Sequence, residues 1–194
     1  MAEATRHIFH LFSARFSSGK FSLSEDCKVT LVSSFLHPIK SVEITKSIYG
    51  STYQRASFCL SQWRKLIVQI PELLAAADYL RKDENLQPMI EIPGDDDDFA
   101  LPLDTIEQVW ESCEYITPRY AFKFIPYQSS ENRVDLILAA RNYTVDGQQK
   151  IHPKPGGINL SLKELETLLS LKDTIEIVIT THLNNPPIAS PVGF

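Results

Sequence analysis

Residues 156–169 read Gly156-Gly157-Ile158-Asn159-Leu160-Ser161-Leu162-Lys163-Glu164-Leu165-Glu166-Thr167-Leu168-Leu169, and the hydrophobic period changes within them. Ile158-Asn159-Leu160 has the pattern of a short strand, whereas Leu162, Leu165, Leu168 and Leu169 recur at the spacing of an amphipathic helix. Ser161 stands at the junction and can cap the helix. Upstream, Tyr120, Phe122 and Phe124 alternate with Arg119, Ala121 and Lys123, and Val134, Leu136 and Leu138 alternate with Asp135, Ile137 and Ala139. These are two further strands. A Val145-Asp146-Gly147 turn and a loop containing Pro153, Pro155, Gly156 and Gly157 separate them from the junction.

The first half has the same order. Val29 and Leu31 alternate with Lys28 and Thr30, Val42 and Ile44 alternate with Ser41 and Glu43, and His37-Pro38 between them suits a turn. After a polar loop from Gly50 to Arg55, a short strand from Ala56 to Leu60 leads to Ser61, which predicts an N-cap for a helix beginning at Gln62. Trp63, Leu66, Ile67 and Ile70, then Leu73, Leu74, Ala77 and Leu80, supply its apolar stripe. Pro71 predicts a kink or break near Ile70.

Aligning Phe58-Cys59-Leu60-Ser61 with Ile158-Asn159-Leu160-Ser161 superposes the two strand-to-helix junctions. The fold class is therefore α+β, with sheet-helix modules over 15–82 and 115–183, an acidic connector over 83–114 and a proline-bearing flexible tail over 184–194. One continuous α+β domain is the alternative. In the connector, Asp95 to Asp98 read as a solvated loop, while Ile106, Val109, Trp110 and Cys113 recur at helical spacing.

Charge divides unevenly along the 194 residues. Residues 1–82 carry 11 Lys/Arg against 6 Asp/Glu, residues 83–118 none against 11, and residues 119–194 carry 8 against 7. The acidic balance that would argue against a nucleic-acid partner thus lies mainly in the connector. A hydrophobic content of 43% is enough for a core. Cys27, Cys59 and Cys113 show no paired spacing and read as reduced, packed thiols. With no signal peptide at the N-terminus and no apolar run of membrane-spanning length, a soluble cytosolic or nuclear protein is expected, not a secreted one.

No enzyme, cofactor or metal signature emerges. The five histidines are scattered, no phosphate-binding glycine loop or nucleophile elbow is present, and Asp95 to Asp98 lack the spacing of a calcium loop. A nucleic-acid-binding pattern fits better. With Tyr120, Phe122 and Phe124 turned to the helix, the other sheet face carries Arg119 and Lys123, joined by Arg133, Arg141 and Tyr143 from the neighbouring strand. Cations neutralise phosphates, and an aromatic ring stacks a base for about 1–3 kcal/mol. The first half offers the sparser set Lys28, Thr30, Lys46 and Tyr49.

Ala140-Arg141-Asn142-Tyr143, the Asp146-Gly147 turn and His152-Pro153-Lys154-Pro155-Gly156-Gly157-Ile158-Asn159-Leu160 together resemble the transcriptional coactivator family called positive cofactor four. That resemblance covers residues 115–183, and 20–82 in outline. It implies curved antiparallel sheets, each followed by a helix, paired here as an intramolecular pseudo-dimer whose sheet faces bind single-stranded DNA, with RNA left open. Arg141 matches a nucleic-acid-contacting arginine of the family's third strand, Lys154 falls in its Lys/Pro/Gly loop, and Arg119 and Lys123 lie in the region of its basic second strand. Thr144 stands where the family has a base-stacking tryptophan. The expected function is a single-stranded DNA-binding accessory factor working with transcription or replication proteins, without a membrane partner, and further oligomerisation is left open. The alternative is a protein-interaction factor of the same fold that has lost DNA binding and engages a basic partner through the acidic connector.

Overall fold

The computed structural model describes residues 15–34, 37–48, 53–82, 86, 119–128, 134–145 and 151–184. Among them run β1 (Arg15–Ser22), β2 (Cys27–Ser34), β3 (His37–Ser47), β4 (Tyr53–Cys59), α1 (Leu60–Leu80), β5 (Arg119–Gln128), β6 (Val134–Val145), β7 (Ile151–Ser161) and α2 (Leu162–Asn184). Apart from Leu86, the acidic connector, with Asp95 to Asp98 and the candidate helix at Ile106 to Cys113, lies outside the described residues, as does the tail beyond Asn184.

All seven strands join one sheet in the order β1-β2-β3-β4-β7-β6-β5, and every ladder is antiparallel. The α+β class holds. Alternation decides the register: Val29 pairs with Ile44 and Leu31 with Val42, so that one face collects the apolar side chains. Both helices cover that face. Trp63, Leu66, Ile70, Leu73 and Ala77 of α1 and Leu162, Leu165, Leu168, Ile175 and Ile179 of α2 form one buried cluster with strands from both halves of the chain. Each fully buried Leu or Ile there contributes about 1.5–3 kcal/mol.

Several local expectations change. His37 and Pro38 open β3 instead of forming the turn, a place where a strand tolerates the missing proline N–H. The first helix begins at Leu60, not Gln62, because the Cys59 amide donates to Gln62 Oε1 at 3.0 Å and sets the start two residues earlier. Pro71 does not break α1. It lies on the exposed side, while Ile70 and Leu73 continue the buried stripe. β1, rich in serine and glycine, gave no alternation to read.

The proline-glycine segment expected as a loop belongs to β7. Arg141 pairs with Gly157 but Asn142 with Lys154, so Pro155 and Gly156 bulge out of the ladder. Gly156 has φ 102° and Gly157 φ 153°. A Cβ on Gly157 would lie 2.2 Å from the Ala140 carbonyl oxygen, so the close approach of β6 and β7 depends on this glycine.

Cys59 is disulfide-bonded, which corrects the reading of all three cysteines as reduced thiols. Cys27 is free and buried, and burial, followed by the nearby Glu164 carboxylate, pushes its thiol up to about 12.

The ladder between β4 and β7 has a single paired position, Arg55 with Gly157. Side chains complete this seam. The Tyr120 hydroxyl accepts from the Ser57 amide at 2.7 Å and donates to the Ser57 carbonyl at 3.0 Å. The Asn159 amide donates to Gln54 Oε1 at 2.9 Å. Lys46 Nζ reaches the Asn159 carbonyl at 3.1 Å and Glu164 Oε2 at 2.7 Å. Glu164 also receives Ser24 Oγ at 2.9 Å and the Ser161 amide at 2.8 Å, while its own amide donates to Ser161 Oγ at 3.2 Å. One carboxylate thus caps α2 and ties it to the first half of the chain.

Candidate nucleic-acid interface

The face of the sheet that neither described helix covers, its helix-free face in that sense, is where the sequence pattern put its cations. In the second half the strand phase is as expected: Tyr120, Phe122 and Phe124 pack with the helix-side core. Lys123 pairs with Ala139, Ala121 with Arg141 and Arg119 with Tyr143 across β5 and β6. Their exposure is not as expected. Arg141 is 4% exposed and Tyr143 3%, which corrects the picture of an open cation-and-ring surface in this half. Ile125, Ile137 and Ala139 on the same face are also buried, in a second apolar cluster. Arg141 Nη1 donates to the carbonyls of Ala140 at 3.2 Å and Ile158 at 3.4 Å, which keeps its charge hydrogen-bonded inside.

Lys46 is a second correction. It pairs with Gln54 on the ladder and projects to the helix side, where it forms the ion pair with Glu164. Strand alternation explains its loss from the free face, since Lys46 lies two residues from the buried Ile44. At Glu164, burial alone would raise the pKa, but the bonds from Lys46, Ser161 and Ser24 with the Lys46 charge outweigh it and hold the carboxyl below its usual value. Lys28 is exposed on the free face. Lys123 is half-buried, Arg119 and Lys154 are placed by their ladder positions alone, and Arg133 and Tyr49 lie outside the described residues.

Following the ladders outward from Lys28 exposes a pattern that alternation within single strands could not reveal. Ser22, Lys28, Thr45, Arg55, Gly157, Arg141 and Ala121 are successive partners, forming one row across all seven strands. With strands about 4.8 Å apart, Lys28, Arg55 and Arg141 stand two strands from one another along it. Beside the row, Lys20 pairs with Thr30, and Thr30 with Glu43. Tyr53, in line with Ser47 on the same face, is 61% exposed.

The chain matches no family model, no curated protein and no solved structure.

The first half therefore holds the accessible part of the surface: Lys20 and Lys28 exposed, Arg55 half-exposed, hydroxyls at Ser22, Thr30, Thr45 and Ser57, and the Tyr53 ring at its border. Arg55 Nη2 is held by Glu43 Oε1, with side chains 36% and 12% exposed respectively. Lys20, Tyr53 and Arg55 were absent from the residues singled out by sequence. Tyr53 and Arg55 fall in the segment that the sequence presents as a polar loop but that forms the start of β4, and β1 offers no alternation that would place Lys20. Among the described residues, no group of His, Cys, Asp or Glu is arranged to hold a metal ion, and no helix is long and apolar enough to cross a membrane.

Proposed function

We propose that the chain is a single-stranded nucleic-acid-binding accessory factor, serving transcription or replication, that binds through the helix-free face of its sheet. The observation that carries this reading is the accessible stretch of the row, Lys28 and Arg55 with Lys20 beside them, bordered by the exposed Tyr53. Cations in line neutralise successive phosphates, and a ring at the border stacks a base that only an unpaired strand can present. The first half is the main contact surface, because Arg141 and Tyr143 are buried and Lys46 is engaged with Glu164.

The strand order supports an intramolecular pseudo-dimer: each half runs inward from an edge strand to a central strand and then into a helix, and the central strands β4 and β7 are antiparallel. This arrangement also favours the resemblance to positive cofactor four. A nuclear or cytoplasmic setting accompanies this reading.

Titrating the chain against a labelled single strand and the matching duplex at several salt concentrations tests the proposal. Tighter binding to the single strand, weakening as salt rises, is expected. Equal affinity for both, or no binding at low salt, overturns it and returns weight to the protein-interaction reading, in which the acidic connector meets a basic partner.

A further inference from the structure

We infer that Glu43 occupies the place of a phosphate on Arg55 in the unliganded chain and thereby sets how tightly the first half's face takes nucleic acid. This inference rests on the nucleic-acid reading above and concerns the regulation of that same surface. Among the described strand residues of the helix-free face in the first half, Glu43 is the one carboxylate beside Lys20, Lys28 and Arg55. It pairs with Ser57, while Arg55 pairs with Thr45 two positions along the ladder. The two charges are therefore diagonal neighbours on adjacent strands, close enough to meet directly.

The contact joins Arg55 Nη2 to Glu43 Oε1. Its two ends differ in accessibility: the Glu43 side chain is 12% exposed and that of Arg55 36%. An anion arriving from solvent thus meets the guanidinium before the acid. Carboxylate and phosphate oxygens compete for the same guanidinium donors, and a partly exposed pair is held weakly enough to exchange. A phosphate seated on the row between Lys28 and Arg55 would take over donors that Glu43 now occupies. Until then, the acid cancels the central cation of the row and lowers the face's attraction for any polyanion.

The test is binding of a labelled oligothymidylate by the full chain and by Glu43→Gln, Arg55→Ala and the double variant, across a salt series. Glu43→Gln removes the charge but keeps the side chain's shape. It is expected to tighten binding at low salt about threefold or more, the scale of one exposed charge, and to steepen the salt dependence by about one unit. On the Arg55→Ala background the same substitution should give no gain, because the acid acts through that guanidinium. A gain that persists without Arg55 overturns the inference, since Glu43 would then be a diffuse charge only. Unchanged affinity in Glu43→Gln, with the wild type binding normally, overturns it while leaving the nucleic-acid reading intact. A wild type that binds no single strand removes both. Should Glu43→Gln melt below the assay temperature, Glu43→Asp, one methylene shorter, must give a smaller gain by the same logic, and no gain there counts against the inference.

Discussion

The hydroxyl of Tyr120 closes on both backbone groups of Ser57, accepting from the amide at 2.7 Å and donating to the carbonyl at 3.0 Å. A side chain from β5 thus supplies the hydrogen bonds that a longer β4–β7 ladder would have made. Its ring also stacks obliquely on Phe58, with centroids 4.6 Å apart. Tyr120→Phe keeps that contact and strands two backbone groups, so it should cost about 1–3 kcal/mol in urea unfolding. Burial, opposed by the Ser57 bond, raises the hydroxyl's pKa. The contribution is therefore complete below the ordinary tyrosine value and fades as pH rises through the higher folded one. The variant should lack that alkaline loss.

Glu164 should dominate part of the acid limb of stability. Its folded pKa is lowered from the usual 4.5, so its contribution is present above that value and is lost as pH falls through the lower folded one. Glu164→Gln should cost about 1.5–3 kcal/mol near neutrality and flatten the pH dependence of the melting temperature in that acid window. By contrast, the Arg64–Glu176 pair between the helices is largely exposed, at 52% and 40%. Glu176→Gln should change stability by less than about 1 kcal/mol.

Gly157→Ala should destabilise the sheet by about 2–4 kcal/mol. The added methyl meets the Ala140 carbonyl oxygen at 2.2 Å, where only backbone movement can relieve it. An unchanged denaturation midpoint would show that β6 and β7 can part there at no cost.

Lys28 and Arg141 share the row but should respond oppositely to alanine. Arg141→Ala removes a buried, hydrogen-bonded charge and should cost about 2–3 kcal/mol of stability. Lys28→Ala should leave stability within about 0.5 kcal/mol while weakening single-strand binding and reducing the salt slope by about one. Thermal melts paired with salt titrations of both variants check this division.

The junction at Ser161 and the alternation of β2, β3, β5 and β6 were legible because each signal is local: a period and a cap. The phase of Arg141 and Tyr143 was equally legible, since neighbours on a strand alternate faces. Their burial was not, because accessibility depends on what else packs over a face. Lys46 illustrates the same limit. Its strand was evident, and alternation with Ile44 already turned it to the helix side, but its partner there, Glu164, over a hundred residues away, was fixed by the packing of α2 and not by its neighbours in sequence. The polar run before Ala56 concealed Tyr53 and Arg55, the serines and glycine of β1 concealed Lys20, and no spacing rule could have paired Cys59.

The antiparallel meeting of β4 and β7 has a consequence for any ligand with a chemical direction. A nucleic-acid strand runs 5′ to 3′, whereas the two halves of the sheet, facing each other across Arg55 and Gly157, offer oppositely oriented frames. One strand crossing the seam can be read in the same sense by one half only. Equivalent use of both halves would require the strand to turn back on itself or a second strand to enter from the far edge. Under the proposed nucleic-acid reading, the unequal exposure of Lys28 and Arg141 along their common row would favour one direction of binding.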